Sequence, residues 1–124
     1  MSFSRSLSIK SELTSEISQE VRKLGIRIDQ GVVLGTPVDT GRARGNWLVG
    51  IGAAPAGTSE SLDKGGSATI QAAITTIAGY PADKLPDLWI VNNLPYIGRL
   101  NDGWSEQAPA KFVDAAIDRA LANG

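Results

Sequence analysis

The sequence predicts a small α+β domain with a long N-terminal helix, a small antiparallel sheet, a middle helix and a C-terminal helix. Three observations point there. Apolar residues recur at steps of three and four from Leu13 to Val32, the pattern of one buried helix face. Two short runs, Trp47–Gly52 and Leu88–Val91, hold residues of high strand propensity. The fourteen Gly and six Pro cluster, and the clusters divide the chain. The 124 residues fit one domain of ordinary size. A composition of 42% hydrophobic and 20% charged residues suits a packed domain, not a disordered tail.

Residues 1–10 are Ser-rich and are expected to form a flexible N-terminus, leaving 11–124 as the single domain. From Ser11 to about Leu34, Leu13, Ile17, Val21, Leu24, Ile28 and Val32 share one helix face. Glu12, Glu16 and Glu20 toward its start, and Arg22, Lys23 and Arg27 toward its end, suit the helix dipole. Gly25 and Gly31 weaken its interior, and Gly35-Thr36-Pro37 ends it. A turn-rich connector then leads to the first strand at Trp47. Residues 53–66 read as a loop, expected to be mobile in the free subunit and ordered against a neighbour. Ser67 is the expected N-cap of a second helix over about 68–79, with Ile70, Ala73, Ile74 and Ile77 at helical spacing.

Pro81 and Pro86 bracket a link to the second strand. Tyr96 to Leu100 suits a short helical turn, and Pro109 suits the first turn of the last helix. The apolar face of that helix is Phe112, Val113, Ala116, Ile117, Ala120 and Leu121. The expected core packs Leu13, Ile17, Val21, Leu24 and Ile28 on Ile74, Ile77, Trp89, Val113 and Ile117. On that reading Ile17→Asp prevents folding, because it places an unpaired charge among apolar groups. Two strands make a poor sheet alone. Either the glycine-rich regions hold further strands or a neighbouring chain completes the sheet.

Composition narrows function. Without Cys or His there is no disulfide scaffold, no thiolate or imidazole metal site, and no Ser-His or Cys-His nucleophile. The carboxylates are scattered, without metal-ligand spacing, so no cofactor is expected. Twelve Lys+Arg against thirteen Asp+Glu, a net charge of −1, argue against a general grip on nucleic acid. No apolar run approaches the ~20 residues of a membrane span. The first residues lack the apolar core of a signal peptide, so a cytoplasmic product is expected.

Asp39-Thr40-Gly41 matches the D-T-G of homodimeric aspartic proteases, in which two carboxylates share a proton and activate water. Here it follows a helix and Thr36-Pro37-Val38 rather than an apolar strand, which favours a turn with Gly41 at positive φ. Arg42, Arg44 and Arg99 suit contacts to phosphate or to an acidic partner. Trp47 and Trp89 belong to strands and read as core, while Trp104, in a loop, reads as core or as an interface anchor.

Two motifs occur in order: Thr36-Pro37-Val38-Asp39-Thr40-Gly41-Arg42, then Asn92-Asn93-Leu94-Pro95-Tyr96 followed by Gly103-Trp104-Ser105 and Gln107-Ala108-Pro109. Together they resemble the tail-completion, or neck, proteins of tailed bacteriophages, including the minor tail protein Z type. The resemblance covers about residues 10–122. Ala43 stands where that family often has a bulky apolar residue, and Asn101-Asp102 where it often has Glu. The resemblance implies a structural virion protein of the neck or tail, made in the host cytoplasm, with no catalytic residues. It implies a ring, as a hexamer or a dodecamer, between connector or stopper and tail terminator or tail tube proteins. DNA is a partner only in passing. Subunit contacts are expected at Asp39, Thr40, Gly41, Arg42, Arg44, Tyr96, Arg99, Trp104, Ser105, Gln107 and Pro109. An aspartic protease using Asp39-Thr40-Gly41, and a small adaptor that forms no ring, are the alternatives.

Overall fold

A computed structural model of the chain describes residues 2–39, 41–102 and 111–122, with side chains from residue 11 onward. The described elements are α1 (Ser2–Gly35), α2 (Arg42–Gly45), β1 (Trp47–Ile51), α3 (Ser67–Ala78), β2 (Leu88–Asn92), α4 (Ile97–Asn101) and α5 (Phe112–Ala122). This is the expected α+β architecture. No helix among the described residues is long and apolar enough to cross a membrane. Pro109 lies outside the described residues.

Helix α1 begins at Ser2 rather than Ser11, running through the segment expected to be flexible. Its acidic and basic residues therefore stand along its length, with no acid in the first turn and no base in the last. The dipole reading of their order lapses.

The docked face of α1 is also not the expected one. It holds Ser18, Gly25, Asp29, Val32, Val33 and Thr36, all buried. Val21, Leu24 and Ile28 sit half-buried at its margin, while Leu13 and Ile17 are 53% and 49% exposed. Ser18, Gly25 and Thr36 dock here because each has a partner of matching shape or polarity, and Asp29 is the exception. Gly25 lies directly under the Leu88 side chain, and a Cβ on Gly31 would stand 2.9 Å from the Ala116 Cβ. The absent side chains let β2 and α5 close on the helix. The Ser18 hydroxyl donates to the Pro81 carbonyl at 2.5 Å, and Arg22 donates to the Tyr80 carbonyl from Nε at 3.1 Å and Nη2 at 2.5 Å. Tyr80, itself buried, donates its hydroxyl to the Pro86 carbonyl at 2.7 Å. Burial raises the Tyr80 phenol above its ordinary range. The middle of α1 thus holds the link before β2 by hydrogen bonds rather than by apolar burial.

Strands β1 and β2 form an antiparallel ladder from Trp47↔Asn92 to Ile51↔Leu88. Among the described residues the sheet has these two strands only, and α1 and α3 of the same chain back it. Alternation sends Trp47 and Ile90 to the core. Trp89 pairs with Gly50 on the other face and is 40% exposed, so it is not the core residue expected.

The core lies at the C-terminal third of α1. Val32, Val33, Trp47, Phe112 and Ala116 form it, with Ile28, Ile70, Ile90, Ile97, Leu100 and Val113 packed around. Leu121 is 58% exposed, because α5 buries only Phe112, Ala116 and Ala120 fully. Ile17→Asp is therefore expected to fold, since the new carboxylate meets water.

Ser67 does not cap α3. The cap comes from Asp63, whose Oδ1 accepts from the Gly66 N–H at 3.0 Å and whose Oδ2 accepts from the Thr69 N–H and hydroxyl at 2.8 and 2.7 Å. The Thr69 hydroxyl leads in holding the Asp63 carboxyl below its ordinary range, opposed by partial desolvation.

Asp29 is 1% exposed, and neither carboxylate oxygen has a hydrogen-bond partner among the described residues. Burial pushes its pKa from 3.8 to about 7. Above pH 3.8 the unfolded state ionises at this residue while the folded state keeps its proton. Stability is therefore full below pH 3.8 and falls as pH rises to about 7. The loss is about 1.4 kcal/mol per pH unit within that window. Asp29→Asn is expected to remove this slope. Thermal midpoints from about pH 4 to pH 8 check it: the gap between variant and parent should widen with pH. Parallel profiles would contradict a protonated Asp29.

Candidate functional site

The first motif folds as the chain reversal at the end of α1. Thr36 is buried, and its hydroxyl donates to the Val32 carbonyl at 2.5 Å while accepting from the Trp47 indole N–H at 2.8 Å. One hydroxyl thereby fixes the last turn of α1 and the first residue of β1. The guanidinium of Arg44 donates to the carbonyls of Leu34 at 2.9 Å, Thr36 at 2.9 Å and Lys64 at 2.8 Å. It brings a cation to the C-terminus of α1, where orphan carbonyls carry partial negative charge.

Gly41 has φ 83°, and a Cβ there would lie 2.6 Å from the Lys64 nitrogen. Both facts require glycine. Its carbonyl accepts from the N–H groups of Gly45 and Asp63, each at 3.0 Å. Asn46 is fully buried. Its Nδ2 donates to the carbonyls of Arg42 at 2.8 Å and Ser59 at 3.0 Å, and its Oδ1 accepts from the Ser59 N–H at 2.6 Å.

The second motif closes on the segment that follows the first. Asn92 Nδ2 donates to the Ala43 carbonyl at 2.9 Å, and Asn92 Oδ1 accepts from the Leu94 N–H at 3.2 Å. Asn93 Nδ2 donates to the carbonyls of Pro55 at 3.0 Å and Gly57 at 2.9 Å. Leu94 is buried. Further on, Asn101 Oδ1 accepts from the Val113 N–H at 2.9 Å at the start of α5. Thus two segments about fifty residues apart in the chain meet across the Trp47↔Asn92 pair.

These contacts change the reading of residues 53–66. The segment has no regular structure, as expected, but Asn46, Asn93 and Arg44 hold its backbone, and its own Asp63 accepts from Thr69 at the start of α3. Polar side chains hold it, where apolar burial would be insufficient.

Of the expected contact residues, Asp39, Arg42 and Arg99 are exposed and Tyr96 is half-buried at the start of α4. Gly41 is buried. Arg44 donates to three carbonyls of its own chain. Thr40, Trp104, Ser105, Gln107 and Pro109 lie outside the described residues. Asp39 sits in a turn between two helices. Asn46 and Asp63, which help hold the region together, were not singled out in the sequence, and Asn92 and Asn93 were named there only as motif residues. Only their Asx chemistry at turns marks them. No protein-family model, curated protein or solved structure matches the chain.

Asn46→Ala is expected to destabilise the protein by about 2–3 kcal/mol, because it removes three hydrogen bonds to the backbone of Arg42 and Ser59 from a fully buried side chain. Limited proteolysis should then cut within 53–66 in the variant and spare it in the parent. Equal cutting in both would contradict the tether.

Proposed function

We propose that this protein is a structural virion component of a tailed bacteriophage, a ring subunit of the neck or tail-completion region. The observation that carries the reading is the convergence of the two motifs. Their described side chains tie down the backbone of the Thr36–Asn46 reversal, with Asn92 reaching Ala43 across the ladder, as a scaffold requires. A reaction centre would instead gather its polar groups on an open cleft. In this reading the chain works as a hexameric or dodecameric ring and has no enzymatic role. Its neighbours are the connector or stopper on one side and the tail terminator or tail tube on the other. DNA passes through the channel. A net charge of −1 suits passage without grip, since many phosphate contacts would make binding tight and salt-dependent.

Deleting the gene from its phage is expected to leave DNA-filled heads and separate tails that fail to join. Mass spectrometry of purified virions should find the protein in the wild type. Infectious virions without it, or its absence from purified particles, would overturn the proposal.

A further inference from the structure

A groove of about 550 Å³ runs between the second half of α1 and α5. Gly31, Gly35, Ala115 and Ala116 keep its lining shallow and small. Leu34, 53% exposed, stands at its side, and Arg27 and Arg119 supply its charge. No carboxylate is among its described lining residues.

Nearer the N-terminus of α1, Leu13, Glu16, Ile17 and Glu20 stand at i, i+3, i+4 and i+7, and so form one ridge. Leu13 and Ile17 are about half exposed and Glu16 and Glu20 are exposed. Lys23 approaches Glu20 to 3.5 Å in open solvent, a pair that contributes little. One subunit thus carries an acidic apolar ridge and a basic apolar groove. Both belong to a single continuous helix, with the ridge ending before Arg27 begins the groove, so they cannot meet within one molecule.

We propose that the Leu13–Glu20 ridge of one copy docks in the Arg27/Arg119 groove of the next, joining subunits head to tail. Arg27 and Arg119 face Glu16 and Glu20, and Leu13 and Ile17 cover the small-residue lining beside Leu34. The patches are different surfaces of one chain, so the contact is heterologous and repeats. Charge complementarity sets its register and makes it salt-sensitive. Only the closure of this chain of contacts into a ring rests on the function proposed above.

Native mass spectrometry and sedimentation velocity on the full chain test this. The wild type should give multiples of the 13.0 kDa subunit, decreasing as salt rises. The double variants Arg27→Glu/Arg119→Glu and Glu16→Arg/Glu20→Arg should each give the 13.0 kDa monomer with an unchanged thermal midpoint. Mixed together they should assemble again, because each reversed patch then meets its complement. Ile17→Asp, which leaves both arginines in place, should fold and stay monomeric. Wild-type assembly in either reversed variant alone, or no assembly in the mixture, would overturn the docking while leaving the ring reading standing. A wild type that stays monomeric at its highest soluble concentration would also overturn it, and the virion experiment would then judge the function separately.

Discussion

The hydroxyl of Thr36 is the point on which the described fold turns. It closes the last turn of α1 on Val32 and receives the indole N–H of Trp47. That one group sets where the long helix ends and where the first strand begins. The consequences follow outward. Trp47 reaches the core beside Val32 and Val33, and its ladder partner Asn92 reaches back to Ala43. Arg44 adds charge at the same helix end and draws in Lys64, which brings Asp63 to the start of α3. A small domain with a two-stranded sheet needs such a junction, because the sheet by itself is marginal in water.

The other half of α1 has a different character. Its inward face is held by Ser18 and Arg22 on the carbonyls of Pro81 and Tyr80. Asp29 sits between this region and the core without a side-chain hydrogen bond among the described residues. Polar docking of this kind costs stability relative to apolar packing but fixes orientation through directional bonds. It also turns the apolar residues of the N-terminal half sideways, toward water. Leu13 and Ile17 are left at the surface of a helix that is otherwise part of the domain, next to a ladder of glutamates.

Much of the fold was legible in the sequence. The runs Trp47–Gly52 and Leu88–Val91 mark the strands Trp47–Ile51 and Leu88–Asn92 because β-branched and aromatic residues lie between turn signals, and α3 follows from its isoleucine spacing. The face of α1 was not legible. Periodicity finds the most apolar stripe, yet Gly25 and Gly31 make the neighbouring stripe the one that other elements can approach. The same two glycines, which looked like weak points, are close contacts with Leu88 and Ala116. Trp89 was misplaced because strand membership does not say which face a side chain takes; its partner Gly50 decides that. Around the candidate site, Gly41 at positive φ was legible from the Asp-Thr-Gly turn. The inward use of Arg44 was not, because its partners are backbone carbonyls, which leave no trace in side-chain patterns.

The central claim is that stability concentrates at the end of α1 and the strand it launches, while the N-terminal half of the helix is held more lightly. Native-state hydrogen exchange of the monomer measures this directly, residue by residue. Amides of Val32, Val33, Thr36, β1 and β2 should exchange slowest, near the rate set by global unfolding. Those from Leu13 to Glu20 should exchange much faster, by local opening. Uniform protection along the whole of α1, or the strongest protection around Leu13 and Ile17, would contradict the account.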